Sequence, residues 1–261
     1  MSQPQILWFR QDLRLADQAA LAAAAAAGPV IPVYILDDES AGLRPMGGAS
    51  RWWLHHSLAG LDARLKAHGG RLLLLRGKSA DVLQRLAAET GAGAIHALRH
   101  SEPWWAAIEA KLPGLTLHEG TTLLPPGLLK TKTGGRFRVF TPYWRAHTAW
   151  GPPPRPRPAP ARIAFAPMPA GDRLESWGLL PSSPDWATGF GWTPGEAGAA
   201  AALEAFLPRL KAYDVRRDFP SEPATSTLSA HLHFGEISAA ACWHAAVDAA
   251  GEAATPWSRQ L

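Results

Sequence analysis

Five short, predominantly apolar runs separated by stretches of helical periodicity constrain the first 120 residues of this chain more than any other feature. They occupy residues 6–9, 29–36, 72–75, 94–98 and 115–117. Apart from His96 and Thr116 they carry no polar residue, so they read as strands buried on both faces. The stretches between them, at 17–27, 50–68, 81–89 and 104–112, read as helices. The second shows the stripe clearly, with Trp53, Leu54, Leu58, Leu61 and Leu65 at helical spacing. Strand and helix in alternation predict an α/β fold, a doubly wound parallel five-stranded sheet of the Rossmann-like kind. Ligands on such sheets bind beyond the carboxyl ends of the strands.

The site motifs usual for that architecture are missing. No GxGxxG follows the first strand. Gly77-Lys78-Ser79 resembles the end of a phosphate loop, but Leu72 stands where the earlier glycine is needed, so a strand-to-helix turn is predicted. Asp37, Asp38 and Glu39 read as a solvated loop start. The pairs His55/His56 and His231/His233 lack the i,i+4 spacing of a zinc helix, and no metal site is predicted. A single cysteine, Cys242, excludes an internal disulfide and a thiolate cluster.

With 47% hydrophobic and 18% charged residues and a formal charge of +4, the 261 residues suit one large or two ordinary globular domains. No signal peptide is visible, and no run approaches the ~18 apolar residues of a membrane span. A cytoplasmic monomer is the expectation.

Between residues 131 and 146 basic and aromatic residues interleave in TKTGGRFRVFTPYWRA. Such a pattern suits a nucleic-acid backbone, but the favoured reading is the start of a helix packed on its own domain. GPPPRPRPAP, at 151–160, reads as an extended linker. In the loop-rich stretch 176–192, Trp177, Trp186 and Trp192 are expected packing anchors. Thr193 to Glu196 spell a capping box with proline at the first helical position, opening a helix to about Tyr213 with a kink at Pro208.

The densest candidate site lies beyond that helix, in YDVRRDFPSEPATSTLSAHLHFGEIS at residues 213–238. Four hydroxyls fall in five residues, Thr225, Ser226, Thr227, Leu228 and Ser229, ahead of a helical apolar pattern. Such hydroxyls cap helix starts, and the free N–H groups there also suit a phosphate. An anion site and an ordinary capped turn stand level on these grounds. Gly235 is expected to end the first helix, and Ser238 to cap the next, at 239–250.

Several separated motifs resemble the DNA photolyase/cryptochrome family in the family's order. They are WFRQDLRLADQAAL at 8–21, ILDDES at 35–40, ASRWWLHHSLAGLDARL at 49–65, RVFTPYWRA at 138–146 and TSTLSAHLHFGEIS at 225–238. The resemblance covers essentially the whole chain and is closest to the N-terminal portion of a class I-type deoxyribodipyrimidine photolyase. It implies an antenna domain over 1–130, an interdomain connector over 131–192 and the beginning of an all-α FAD-binding domain over 193–261. It further implies FAD phosphates held by Tyr213, Thr225, Ser226, Thr227, Leu228 and Ser229, and an antenna chromophore, a folate or a deazaflavin. Thr227 replaces a residue basic in many members, and Ala230 a proline. The implied activity is light-driven repair of cyclobutane pyrimidine dimers in damaged DNA by electron transfer from reduced FAD. A cryptochrome-like photoreceptor and a non-enzymatic antenna fragment are the alternatives. The family's later flavin-domain helices do not follow TPWSRQL here, so the helical domain reads as truncated. Arg10, Asp12 and Arg14 are expected to pair with neighbouring elements rather than act on a ligand.

Overall fold

The computed structural model describes residues 2–40 and 46–261. Strands β1 (Gln5–Phe9), β2 (Val30–Leu36), β3 (Leu73–Arg76), β4 (Ala94–Leu98) and β5 (Leu115–His118) form one sheet. It is parallel throughout, in the order β3-β2-β1-β4-β5. Helices α1 (Ala19–Ala27), α2 (Gly48–Ala67), α3 (Ser79–Thr90) and α4 (Pro103–Glu109) provide the crossovers. Side chains along a strand alternate between faces, and β1 shows why its run is apolar at every position. Leu7 and Phe9 pack with α1 and α2, while Ile6 and Trp8 pack with α3 and α4. The α/β fold is that expected from the runs.

The Gly77-Lys78-Ser79 turn joins β3 to α3, and a carboxylate takes the place of any phosphate. Asp37, just after β2, accepts from the Ser79 N–H and hydroxyl, both at 2.7 Å. Its other oxygen accepts from the Ser40 N–H at 2.6 Å. Burial opposes ionisation, but the bonds from Ser40 and Ser79 outweigh it and hold this carboxyl below its ordinary value. Asp37→Ala is expected to cost about 1–2 kcal/mol, the range for a lost helix cap. Because the folded-state pKa is lowered, the contribution is complete above the unfolded value of 3.8 and disappears as pH falls through the folded one. Urea unfolding of both proteins at neutral pH and near pH 3 would show the gap close on acidification.

After helix α5 (Phe140–Trp150) the proline-rich stretch has no regular structure, but it is docked along its length. Pro153 O accepts from His244 Nε2 at 2.8 Å, and Asp17 N donates to Arg157 O at 2.7 Å. Further on, Val30 N donates to Ala164 O and Ala166 N to Val30 O, so Phe165 bridges the start of β2. Ile163, Ala166, Trp177 and Leu179 are buried in the sheet's two cores. The segment is a strap. Of the three tryptophans expected as anchors only Trp177 is buried; Trp186 and Trp192 are exposed, lying against Phe190 and Trp53.

The rest is helical: α6 (Glu196–Phe206), a 3-10 stretch Leu207–Ala212, α7 (Tyr213–Arg216), α8 (Ser229–His233), α9 (Ala239–Ala250), a 3-10 turn Gly251–Ala254 and α10 (Thr255–Ser258). Pro208 marks where α6 tightens into 3-10 geometry. The capping box does not form. Gly195 is the N-cap without a side-chain bond, and Glu196 instead pairs with Arg64 at 2.7 Å and accepts from Ala16 N at 3.1 Å. Tertiary partners on the sheet domain outcompete the local bond. Among the described residues no helix is long and apolar enough to cross a membrane.

Candidate functional site

Residues Tyr213 and Thr225 to Ser229 stand on either side of one small core. Leu203, Phe206, Leu210, Tyr213, Leu228, Cys242 and Trp257 form it, and it holds Tyr213 and Leu228 in a fixed relation. Tyr213 meets Phe206 edge-on at 5.9 Å, and the Arg217 guanidinium lies 5.6 Å from its ring centre. Leu228 is 2% exposed and faces inward, so its part in any site falls to its backbone. Thr225, Thr227 and Ser229 are exposed and Ser226 half-buried. An inward Leu228 thus leaves the flanking hydroxyls in solvent.

The hydroxyls do not cap a long helix. Helix α8 has five residues, its N-cap is Leu228, and no side chain caps it. The hydroxyl run instead forms the loop ahead of it, with Thr227 at φ 55. A β-branched residue there is strained. The Thr227 hydroxyl donates to Ser226 O at 2.7 Å, and the Ser226 hydroxyl accepts from Leu228 N at 3.4 Å. The first N–H groups of α8 lie ahead of any intrahelical acceptor. So short a helix contributes little macrodipole, and anion affinity here rests on hydroxyls and N–H groups. None of the six residues lines the neighbouring cavity of about 250 Å³, bounded by Pro208, Arg209, Ala212, Arg216, Pro223 and Ala224. Nearby, burial pushes the Cys242 thiol up to about 12, leaving it a neutral core group.

The residue that composition and spacing did not single out is Glu236. Its buried carboxyl accepts from Trp53 Nε1 at 2.9 Å and from the Ser57 hydroxyl, both on α2, and bonds His231 Nδ1 of α8 at 2.5 Å. The short helix after the hydroxyl loop is thereby fixed to the sheet domain. Beside it, Gly235 has φ 63, and a Cβ there would lie 2.2 Å from Gln11 O and 2.4 Å from Asp12 Cα. This contact needs glycine. Its signal in the sequence was Glu immediately after a helix-ending glycine in an apolar setting.

Arg10, Asp12 and Arg14 complete the joint. Arg14 donates to Gly235 O at 3.0 Å, Asp17 O at 3.0 Å and Gly120 O at 2.8 Å. Burial lowers its pKa, with Asp12, Asp17 and Glu196 opposing. Arg10 lies between Trp8 and Trp105 and pairs with Glu109 at 2.7 Å. Asp12 accepts from Arg10 N at 2.6 Å and Gln18 Nε2 at 3.0 Å. All three have intramolecular partners.

A second concavity, of about 300 Å³, opens at the carboxyl ends of β1, β4 and β5. Between β1 and β4 the strand order reverses, and ligand crevices form at such switch points. Gln11, Arg14, His100, Glu102, Thr121 and His233 are among its lining residues. His100 Nε2 and Glu102 Oε2 are buried without a hydrogen-bond partner among the described residues. No group of His, Cys, Asp and Glu among the described residues is arranged to hold a metal.

The model of the DNA photolyase family matches residues 5–161. A deoxyribodipyrimidine photo-lyase of Agrobacterium fabrum (strain C58 / ATCC 33970) is 47% identical over 256 residues, covering 93% of this chain and 53% of the relative. Cryptochrome-1 of Arabidopsis thaliana is 31% identical over 261 residues, covering 92% of this chain and 37% of the relative. The crystal structure of a bacterial class III photolyase from Agrobacterium tumefaciens superposes with TM-score 0.92 at 42% identity, over 100% of this chain and 57% of that one. The chain thus spans about half the length of the photo-lyase it matches. By its sheet, its motifs and these likenesses, the chain belongs to the DNA photolyase family.

Proposed function

We propose that this chain forms the antenna-domain and flavin-phosphate-binding portion of a deoxyribodipyrimidine photo-lyase, an enzyme that repairs cyclobutane pyrimidine dimers in DNA under light. The antenna domain is taken as residues 1–130, the connector as 131–192 and the flavin-binding portion as 193–261. The observation that carries the reading is the loop Thr225–Ser229, held by Leu228 in the core with its hydroxyls turned outward. Bound FAD, when reduced and excited, supplies an electron to the dimer. The residues fit such a group: Tyr213, Thr225, Ser226, Thr227 and Ser229 bring hydroxyls, Ser229 to His231 bring N–H groups, and no carboxylate stands among residues 225–229. Their work is to hold the diphosphate. We place a light-harvesting cofactor, a folate or a deazaflavin, in the switch-point crevice, where His100 and Glu102 keep unpartnered polar atoms.

The test is a visible spectrum of the purified chain before and after denaturation. Stoichiometric released flavin is expected, and Thr225→Ala with Ser229→Ala should weaken retention about tenfold per hydroxyl removed. A colourless protein that takes up no added FAD would overturn the assignment. A photoreceptor using the same flavin is the second reading, favoured by the likeness to a cryptochrome. Repair of dimer-containing DNA under blue light would decide against it.

A further inference from the structure

The chain holds 26 Lys and Arg against 22 Asp and Glu, yet between Thr121 and Gly171 there are eight of the former and none of the latter. Five of the eight, Lys130, Lys132, Arg136, Arg138 and Arg145, are exposed in and around the start of α5. Among the described residues none of these five is within ion-pair reach of a carboxylate, whereas Arg155 of the same stretch meets Asp248. Surface cations elsewhere are mostly matched, as in Lys66 with Asp62, Lys78 with Glu39, Arg99 with Glu119 and Arg173 with Glu175. Among the described residues Arg85, Lys111, Lys211 and Arg259 are exposed and unmatched as well, but they are scattered, whereas residues 130–145 gather five such cations with no acidic residue between them.

Shape adds to charge. The sequence pattern predicts a helix start packed on its own domain, but Val139 is 62% exposed and Phe140 53%. A tight turn, with Thr131 N bonded to Gly135 O at 2.9 Å and Gly134 N to Thr131 O at 2.8 Å, carries the basic residues on both its limbs. Beside it lies an open groove of about 520 Å³ with Phe137, Val139 and Pro142 among its walls and Lys130, Lys132 and Arg138 on the same lining. Helix α5 starts at Phe140 without a side-chain cap, adding free N–H groups and the positive end of an eleven-residue helix. Cations flanking a concave apolar floor match a sugar–phosphate strand, with phosphates on the charges and sugars or bases on the floor. A lipid surface calls instead for a convex apolar face with cations along its edges.

We propose that the turn 130–138 and the first turns of α5 bind the sugar–phosphate backbone of DNA, independently of any lesion. The proposal deepens the repair reading, on which the choice of DNA rests. Its test needs neither flavin nor damage, so the two can fail separately. Fluorescence anisotropy with a labelled, undamaged duplex in the dark would be measured across a salt series. The wild type should bind at low salt with a steep decline. The fourfold variant Lys132→Ala, Arg136→Ala, Arg138→Ala, Arg145→Ala should bind at least tenfold more weakly, its log–log salt slope flattened by about 0.9 per phosphate contact removed. A control of equal charge change, Lys66→Ala, Lys78→Ala, Arg99→Ala, Arg173→Ala, should stay near wild type. Equal losses in the two variants, or no binding by the wild type at low salt, would overturn the proposal. So would vesicles of anionic phospholipid that displace the duplex as readily as unlabelled DNA does. All eight positions are exposed, and circular dichroism would verify folding of each variant.

Discussion

Glu236→Ala is expected to lower the unfolding free energy by about 3–5 kcal/mol, the range for breaking a buried polar pair by removing one partner. Three groups depend on this carboxyl: Trp53 Nε1, the Ser57 hydroxyl and His231 Nδ1. With alanine they stay buried, and each unsatisfied group costs about 1–3 kcal/mol before the site relaxes. Glu236→Gln separates the contributions. The amide oxygen can still accept from Trp53 and Ser57, while its NH2 group faces His231, so an intermediate loss is expected. Chemical denaturation followed by tryptophan fluorescence would read both variants. Equal and small losses would mean that water takes over the carboxyl's role.

Gly235→Ala is expected to cost at least about 3 kcal/mol, or to prevent folding. Overpacking ordinarily costs about 1–3 kcal/mol because side chains can shift. Here the opposing atoms are the backbone of Gln11 and Asp12, at 2.2 and 2.4 Å from the new Cβ, and the positive φ adds strain. Relief would separate the two segments and break the bonds from Leu13 N to Phe234 O and from Arg14 to Gly235 O. The variant should therefore lose the protection of the Leu13 amide in hydrogen exchange while central sheet amides keep theirs. Unchanged Leu13 protection would show that the joint accommodates a methyl group.

Local pattern and tertiary context account for what the sequence disclosed. The sheet was legible because a strand buried on both faces must be apolar at every position, as Ile6, Leu7, Trp8 and Phe9 are. The Ser238 cap was legible because it is a local bond, to Ala241 N at 3.0 Å. The Thr193–Glu196 box failed because Glu196 found Arg64, more than a hundred residues earlier in the chain. Glu236 was missed for the same reason: Trp53 and Ser57, two of its three partners, lie far off on α2, and its position after a helix-ending glycine is only a local signal. In the hydroxyl loop the motif pointed to a helix start, but Leu228 in the core fixes the register and leaves the hydroxyls on a loop instead. The exposure of α5's first turn was illegible because interleaved Arg and Phe suit a packed helix and an open groove equally.

The joint between Gln11–Arg14 and Phe234–Gly235 also has a consequence in time. Arg14 and the carbonyl it grips are 221 residues apart. At about 5–20 residues per second of synthesis, the first loop made waits roughly 10–40 s for its partner to be translated. For the first half of that wait Arg14 has only Asp17 to satisfy it, and Gly120 joins once it is made. The strap can close over β2 before the joint does, since Ala164 and Ala166 are made earlier than Gly235. A nascent chain stalled between these two points should thus present a strap docked at the start of β2 and an open crevice, the stage at which a ribosome-bound chaperone would find most to hold.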